Sequence, residues 1–292
     1  MSAVIKNYFN NWYIECDPDD GARIQVLKYA GKDLLTTKPD SFRAPLKLPG
    51  EYETRPVYGY DDCFPTVDTC TYPGKNFTCR DHGELCWQKW QVDVHENKLI
   101  FETDCMNPRV KFRRILEFEE NKLSWNFEVF NVSDEKVRFL HVMHALLPLK
   151  NIQQLKIPEP GRITDEISGR DLIKQNAHDV AADLLNLKPG GYRMLLLSKL
   201  NEGRIRMEFD FKLVLTITFD KKLFSTLGIW WNNAGYPEEE GLKRTECAFE
   251  PIPGSCSDLS KSFRDGIFLE ADPEKTVSWD ISWEIEPKYS LT

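Results

Sequence analysis

The chain has 292 residues, with 38 lysines and arginines against 46 aspartates and glutamates, a net charge of −8. An acidic chain with no clustered basic run offers nothing for a phosphate backbone to lie on, which excludes nucleic acid as a partner. No apolar stretch approaches the length of a membrane span, while the length is ample for a large core, as two ordinary domains or as one large all-β domain.

Residues 1–21 contain no basic region followed by a continuous apolar run, so no secretory signal is read there and a cytoplasmic location is expected. The eight cysteines are then expected to be free thiols, and the sequons at Asn76 and Asn131 chance matches. Asp61 to Trp90 gathers acidic residues, a Phe64-Pro65 break and the run Asp81-His82-Gly83-Glu84-Leu85-Cys86-Trp87. Polar groups flanking aromatic plates fill a core poorly but suit a pocket for a polar, ring-shaped ligand such as a sugar.

Val110 to Phe118 and Leu123 to Phe130 read as a hairpin joined through Glu119 to Lys122. Ala177 to Leu187 places apolar residues at helical spacing and stops before Pro189-Gly190-Gly191. Leu213, Leu215, Ile217 and Phe219 mark a further strand. A shorter one has Thr245, Cys247 and Phe249 on one face and Glu246, Ala248 and Glu250 on the other. Val277, Trp279, Ile281, Trp283 and Ile285 alternate with polar residues, the clearest half-buried strand in the chain. With no linker or internal repeat, the pattern predicts an antiparallel all-β protein, sandwich or barrel, forming one domain over 1–292.

Several residues are candidates for chemistry. His141 and His144 share one apolar segment; on a helix they would face one metal ion, but the neighbouring Val137, Phe139 and Leu140 indicate a strand, where residues three apart face opposite ways. No metal is therefore expected. His82, between Gly83 and two carboxylates, is the better functional histidine, whereas a buried strand histidine is commonly a hydrogen-bonded core residue. Glu250, just before Pro251, reads by default as a solvated carboxylate. Asp61 and Asp62 read as turn-shaping residues after Gly59, Arg55 as a ligand clamp or a surface charge, and Trp87, Trp90, Trp230 and Trp231 as sugar plates or core. No serine-hydrolase elbow, nucleotide loop, dinucleotide fingerprint or zincin motif is present.

At these residues the chain resembles the aldose 1-epimerase (galactose mutarotase) superfamily, in particular its divergent bacterial branch. The resemblance covers nearly the whole chain and rests on Gly21-Ala22-Arg23-Ile24, Gly59 to Val67, Asp81 to Trp87, the His144 segment and Ala248-Phe249-Glu250-Pro251. It implies an antiparallel β-supersandwich that binds a small-molecule carbohydrate in a groove, as a monomer or homodimer and with no cofactor. It also implies Glu250 as catalytic base and His144 as catalytic acid, with His82 and Arg55 contacting the sugar; Asp61, Glu84 and Trp230 are expected as further sugar contacts. Two other readings are a non-catalytic sugar-binding protein of the same fold and a hexose-6-phosphate epimerase, for which Arg43, Lys47 and Arg55 would supply the phosphate site.

Overall fold

A computed structural model describes residues 4–44, 50–173 and 175–288 of the chain. The period-two stretches form antiparallel strands. The longest sheet runs, in spatial order, Ile152–Lys156, Arg204–Phe209, Leu213–Phe219, Thr276–Pro287, Lys122–Asn131, Arg109–Phe118, Lys98–Met106 and Gln91–Val94. The expected hairpin is its centre, with Phe118 opposite Leu123 and Val110 opposite Asn131. The C-terminal strand pairs along its other side, Trp283 facing Leu123 and Trp279 facing Phe127. Alternation puts Trp125, Trp279, Ile281, Trp283 and Ile285 in the core, because successive strand side chains point to opposite faces.

A second sheet runs Ile5–Phe9, Trp12–Asp17, Arg23–Tyr29, Tyr60–Cys63 and Val142–Ala145, with Lys32–Asp33 added beside Arg23–Tyr29. A third runs Arg170–Asp171, Arg162–Asp165, Gly191–Ser198, Thr226–Asn233 and Thr245–Ile252. One cluster of buried apolar side chains takes residues from all three sheets, including Trp12, Trp125, Trp231 and Trp283. The resulting architecture is antiparallel and all-β as the alternation predicts, and it is the supersandwich that the resemblance implies.

Two local expectations change. The helix spans Ala177–Leu185, capped by the Asn176 side chain on the Asp179 amide, and a second short helix at Leu259–Arg264 has no apolar period long enough to be read from sequence. The strand around Glu250 extends over Thr245–Ile252, and from Glu246 onward it is buried on both faces. On that face Glu246 and Glu250 line a cavity, where the alternation alone suggests solvent.

Candidate active site

The second and third sheets meet where Leu147 and Cys247 exchange backbone hydrogen bonds, which sets Val142–Ala145 beside Thr245–Ile252. Residues of one parity on the third sheet, Tyr192, Met194, Trp230, Glu246 and Glu250, then share a wall with His144. They enclose a cavity of about 360 Å³, closed by Tyr52 and Glu53 and by the loops carrying Asp68, Asp81, His82 and Glu166. Gly228 lies opposite Glu250 in the strand register, and a Cβ there would stand 3.2 Å from Glu250 Oε2. The missing side chain leaves room for the carboxylate.

Glu250 is 3% exposed, and among the described residues no donor hydrogen-bonds its carboxylate; His144 Nε2 lies 3.9 Å from Oε1. Burial without compensation pushes its pKa up to about 7, since the charged form loses its hydration, and Glu166 and Asp68 add to the rise against the lowering effect of His82. His144 is held well below the ordinary imidazole range, by burial first and then by the nearby His82, Arg244, Arg23 and Arg55.

The tautomer of His144 follows from its neighbours. The Tyr52 hydroxyl donates to Asp61 Oδ2 at 3.0 Å and stands 2.9 Å from His144 Nδ1. Burial raises the Tyr52 pKa far above its ordinary value, so the hydroxyl keeps its one proton, and Asp61, paired with Arg23 at 3.0 Å, accepts it. His144 Nδ1 must then carry hydrogen and donate to Tyr52, which leaves the Nε2 lone pair toward the cavity.

His82 stacks flat on Tyr52, ring centroids 3.7 Å apart and 3° from parallel, and meets His144 edge-on at 4.9 Å. Its Nδ1 lies 3.0 Å from Asp81 Oδ1. Burial works against its charge, but the hydrogen bond and charge of Asp81 outweigh burial and raise its pKa. The backbone holds His82 at φ 57° and Gly83 at φ 70°, and Gly83 presses so closely on Phe64 that a Cβ would stand 1.9 Å from the Phe64 carbonyl oxygen. This glycine is required where it stands. Tyr192 and Tyr236 surround Trp230, with centroids at 5.8 and 5.6 Å, and make an aromatic wall suited to the C–H face of a sugar.

Of the residues singled out in the sequence, His82, His144, Trp230 and Glu250 converge on this cavity, whereas Asp61, Arg55 and Glu84 do not line it. Asp61 is buried behind Tyr52 between Arg23 and Arg55, so it acts on the cavity only through Tyr52. Arg55 bonds Asp20 and lies over the Tyr52 and Trp87 rings, and Glu84 bonds Arg80. Asp62, next along the strand, points to the opposite face, where it meets Arg114, Tyr60 and His141. His141 also accepts from Trp279 Nε1 at 3.1 Å and is a satisfied core histidine, facing away from His144 as strand alternation requires. Sequence reasoning missed Tyr52, Asp68, Glu166, Arg244, Glu246 and Ser257. Glu246 alone had a usable signal, its shared face with Glu250.

Among the described residues no group of three or more His, Cys, Asp or Glu side chains is arranged to hold a metal ion, all eight cysteines are free, and no helix is long and apolar enough to cross a membrane. No family model and no curated relative matches the chain. Solved structures do. A galactose mutarotase related enzyme from Lactobacillus acidophilus superposes with a TM-score of 0.69 at 17% identity, covering 98% of each chain. The chain has the galactose mutarotase-like fold. A galactose mutarotase-like protein from Lactobacillus casei gives a TM-score of 0.67 at 14% identity, covering 97% of this chain and 100% of the other. An Escherichia coli K12 protein provisionally named an aldose 1-epimerase gives 0.73 at 12% identity, covering 98% and 99%. At these identities the likeness is one of galactose mutarotase-like architecture, and the chemistry rests on the cavity itself.

Proposed function

We propose that the chain is an aldose 1-epimerase-like isomerase that interconverts the α and β anomers of a free sugar. The observation that carries this reading is the facing pair in the cavity: a carboxyl that titrates at about 7 beside an imidazole held neutral with its Nε2 lone pair exposed. Mutarotation needs one group to take the O1 proton while another gives a proton to the ring oxygen, and then the reverse on the other face of C1. A couple holding one proton between two groups does both.

The resemblance assigns Glu250 the base role and His144 the acid role. The Tyr52 and Asp61 arrangement supports the reverse order in the resting cavity. Glu250 holds the shared proton and protonates the ring oxygen, while His144 Nε2 takes the proton from O1; closure of the ring returns both. Tyr52 and Asp61 stabilise the imidazolium formed meanwhile, because Nδ1 already donates along that chain. His82, stacked on Tyr52, presents its edge to the sugar hydroxyls, and Trp230 its face to the ring.

The hexose-6-phosphate alternative finds little support in the geometry. Arg43 is paired with Glu239, Arg55 with Asp20 and Asp61, and Arg244 with Glu53 and Glu246, while Lys47 lies outside the described residues. The test is anomer exchange by NMR over a panel of aldoses, comparing wild type with Glu250→Gln and His144→Ala. Each variant is expected to lose on the order of 10²–10⁴-fold. Sugar binding without accelerated exchange in the wild type would establish a carbohydrate-binding protein instead.

A further inference from the structure

The cavity is lopsided in charge. Its lining holds six carboxylates, Glu53, Asp68, Asp81, Glu166, Glu246 and Glu250, against one guanidinium and two imidazoles. The guanidinium, Arg244, is fully engaged by Glu53 in a two-pronged contact at 2.9 and 3.0 Å and by Glu246 at 3.1 Å. His82 faces Asp81. Asp68 and Glu166 have no salt-bridge partner among the described residues, and Glu250 has only the imidazoles of His144 and His82 beside it.

Asp68 and Glu166 are fixed on either side of Ser257. The Ser257 carbonyl accepts from the Asp68 amide at 3.0 Å, and the Ser257 amide and hydroxyl donate to the two Glu166 oxygens at 3.2 and 2.9 Å. Among the described residues no side chain or amide donates to the Asp68 carboxylate, and Lys261, whose charge reaches it, is paired with Asp258 outside the lining. Burial is the first cause that raises the pKa of Asp68 and of Glu166; Asp81 and Asp258 add to it at Asp68 and Asp68 adds to it at Glu166, against the lowering effect of Lys261 on both and of the Ser257 hydrogen bonds on Glu166. Glu250, 3% exposed and with no hydrogen-bond donor among the described residues, opens onto the same space and carries the proton of its couple with His144. Two carboxylates facing one space with no salt-bridge partner in its wall favour a ligand that brings a positive charge.

We propose that the Asp68, Glu166 and Ser257 wall receives a protonated amine carried by the sugar, so that the preferred substrate class is an amino sugar with a free anomeric centre. The inference rests on the reading of the cavity as a mutarotase site and deepens it. An ammonium group has three N–H donors and no acceptor, matching two carboxylates with open lone pairs. The same wall repels a phosphate or a uronic carboxylate.

The test compares glucosamine and galactosamine with glucose and galactose, using N-acetylglucosamine as the uncharged control, below neutral pH and at low salt. Binding is read by calorimetry and anomer exchange by NMR on the same samples. The amino sugars are expected to bind about tenfold or more tightly than their parents, with the advantage absent for the N-acetyl sugar, reduced by salt and largely lost in Glu166→Gln or Asp68→Asn. Equal binding of amino and parent sugars overturns the inference and leaves the mutarotase reading standing where exchange is accelerated. A preference for the amine without exchange supports the wall and overturns catalysis. Binding of neither class overturns both.

Discussion

His144 stands directly opposite Asp61 in the pairing of Tyr60–Cys63 with Val142–Ala145, and the Tyr52 hydroxyl joins the two side chains. Asp61 thus sets the protonation of a cavity it does not line. Tyr52→Phe keeps the stack on His82 but leaves Nδ1 of His144 and Oδ2 of Asp61 without their shared partner. A buried polar group deprived of its partner costs about 1–3 kcal/mol, so anomer exchange is expected to slow by roughly ten- to a hundredfold with the fold intact. An unchanged rate in the NMR assay would remove Tyr52 and Asp61 from the mechanism.

The couple works while it holds one proton. With the Glu250 pKa at about 7 and that of His144 well below the ordinary imidazole range, the active state exists between those two values and is lost as pH rises through 7. A pH–rate profile on kcat/KM should fall on its alkaline side near 7. A rate that instead climbs through 7 to a plateau would mean that ionised Glu250 works beside a neutral imidazole, with Glu250 as the base. Nitrogen NMR of labelled His144 then reports which member carries the proton.

The same carboxyl weakens the fold. Glu250 ionises at about 7 in the folded chain against 4.5 for an ordinary glutamate, so between those values the folded state binds more protons than the unfolded one. Stability therefore decreases as pH rises from 4.5 through 7, by about 3 kcal/mol in all for this group. Glu250→Gln removes the buried charge, and is expected to raise the denaturation midpoint at pH 8 by a corresponding amount while abolishing exchange. Denaturant melts of both proteins at pH 5 and pH 8 check it; no gain at the higher pH would sink the prediction.

Arg114 is fully buried, pairs with Asp62 and donates to the Ala22 carbonyl at 2.8 Å, under the rings of Tyr60, Trp90 and Phe101. Arg114→Met strands the Asp62 carboxylate and is expected to cost about 3–5 kcal/mol. His141 should follow, since its Nε2 faces Asp62 and its Nδ1 already accepts from Trp279. Unfolding measured by Trp fluorescence, with a loss below about 1 kcal/mol, would show the cluster to be dispensable.

The strands at Val110 to Phe118, Leu123 to Phe130 and Val277 to Ile285 were legible because one face is core and the other wet, so the pleat is written as alternation. Thr245–Ile252 was legible only in part: both its faces are buried, and the Glu246 and Glu250 face is polar for the cavity's sake. His82, His144, Trp230 and Glu250 were reachable from residue type and resemblance. Tyr52 in a short turn and Glu166 in a loop carry no period, and their meaning comes from contacts across 92 and 91 positions of sequence. Asp61 and Asp62 misled for a related reason. Adjacent acids read as a turn or a sugar grip, but here each lies on its own sheet face against an arginine remote in the chain, Arg23 or Arg114.

Gly83 never touches the cavity, yet its α-carbon leans on the Phe64 carbonyl so closely that even one methyl group has no place there. The histidine beside it is aimed by that contact. Random mutagenesis scored for loss of exchange should therefore return lesions at Gly83 as readily as at His82 itself, and the former will resist rescue by any change of sugar.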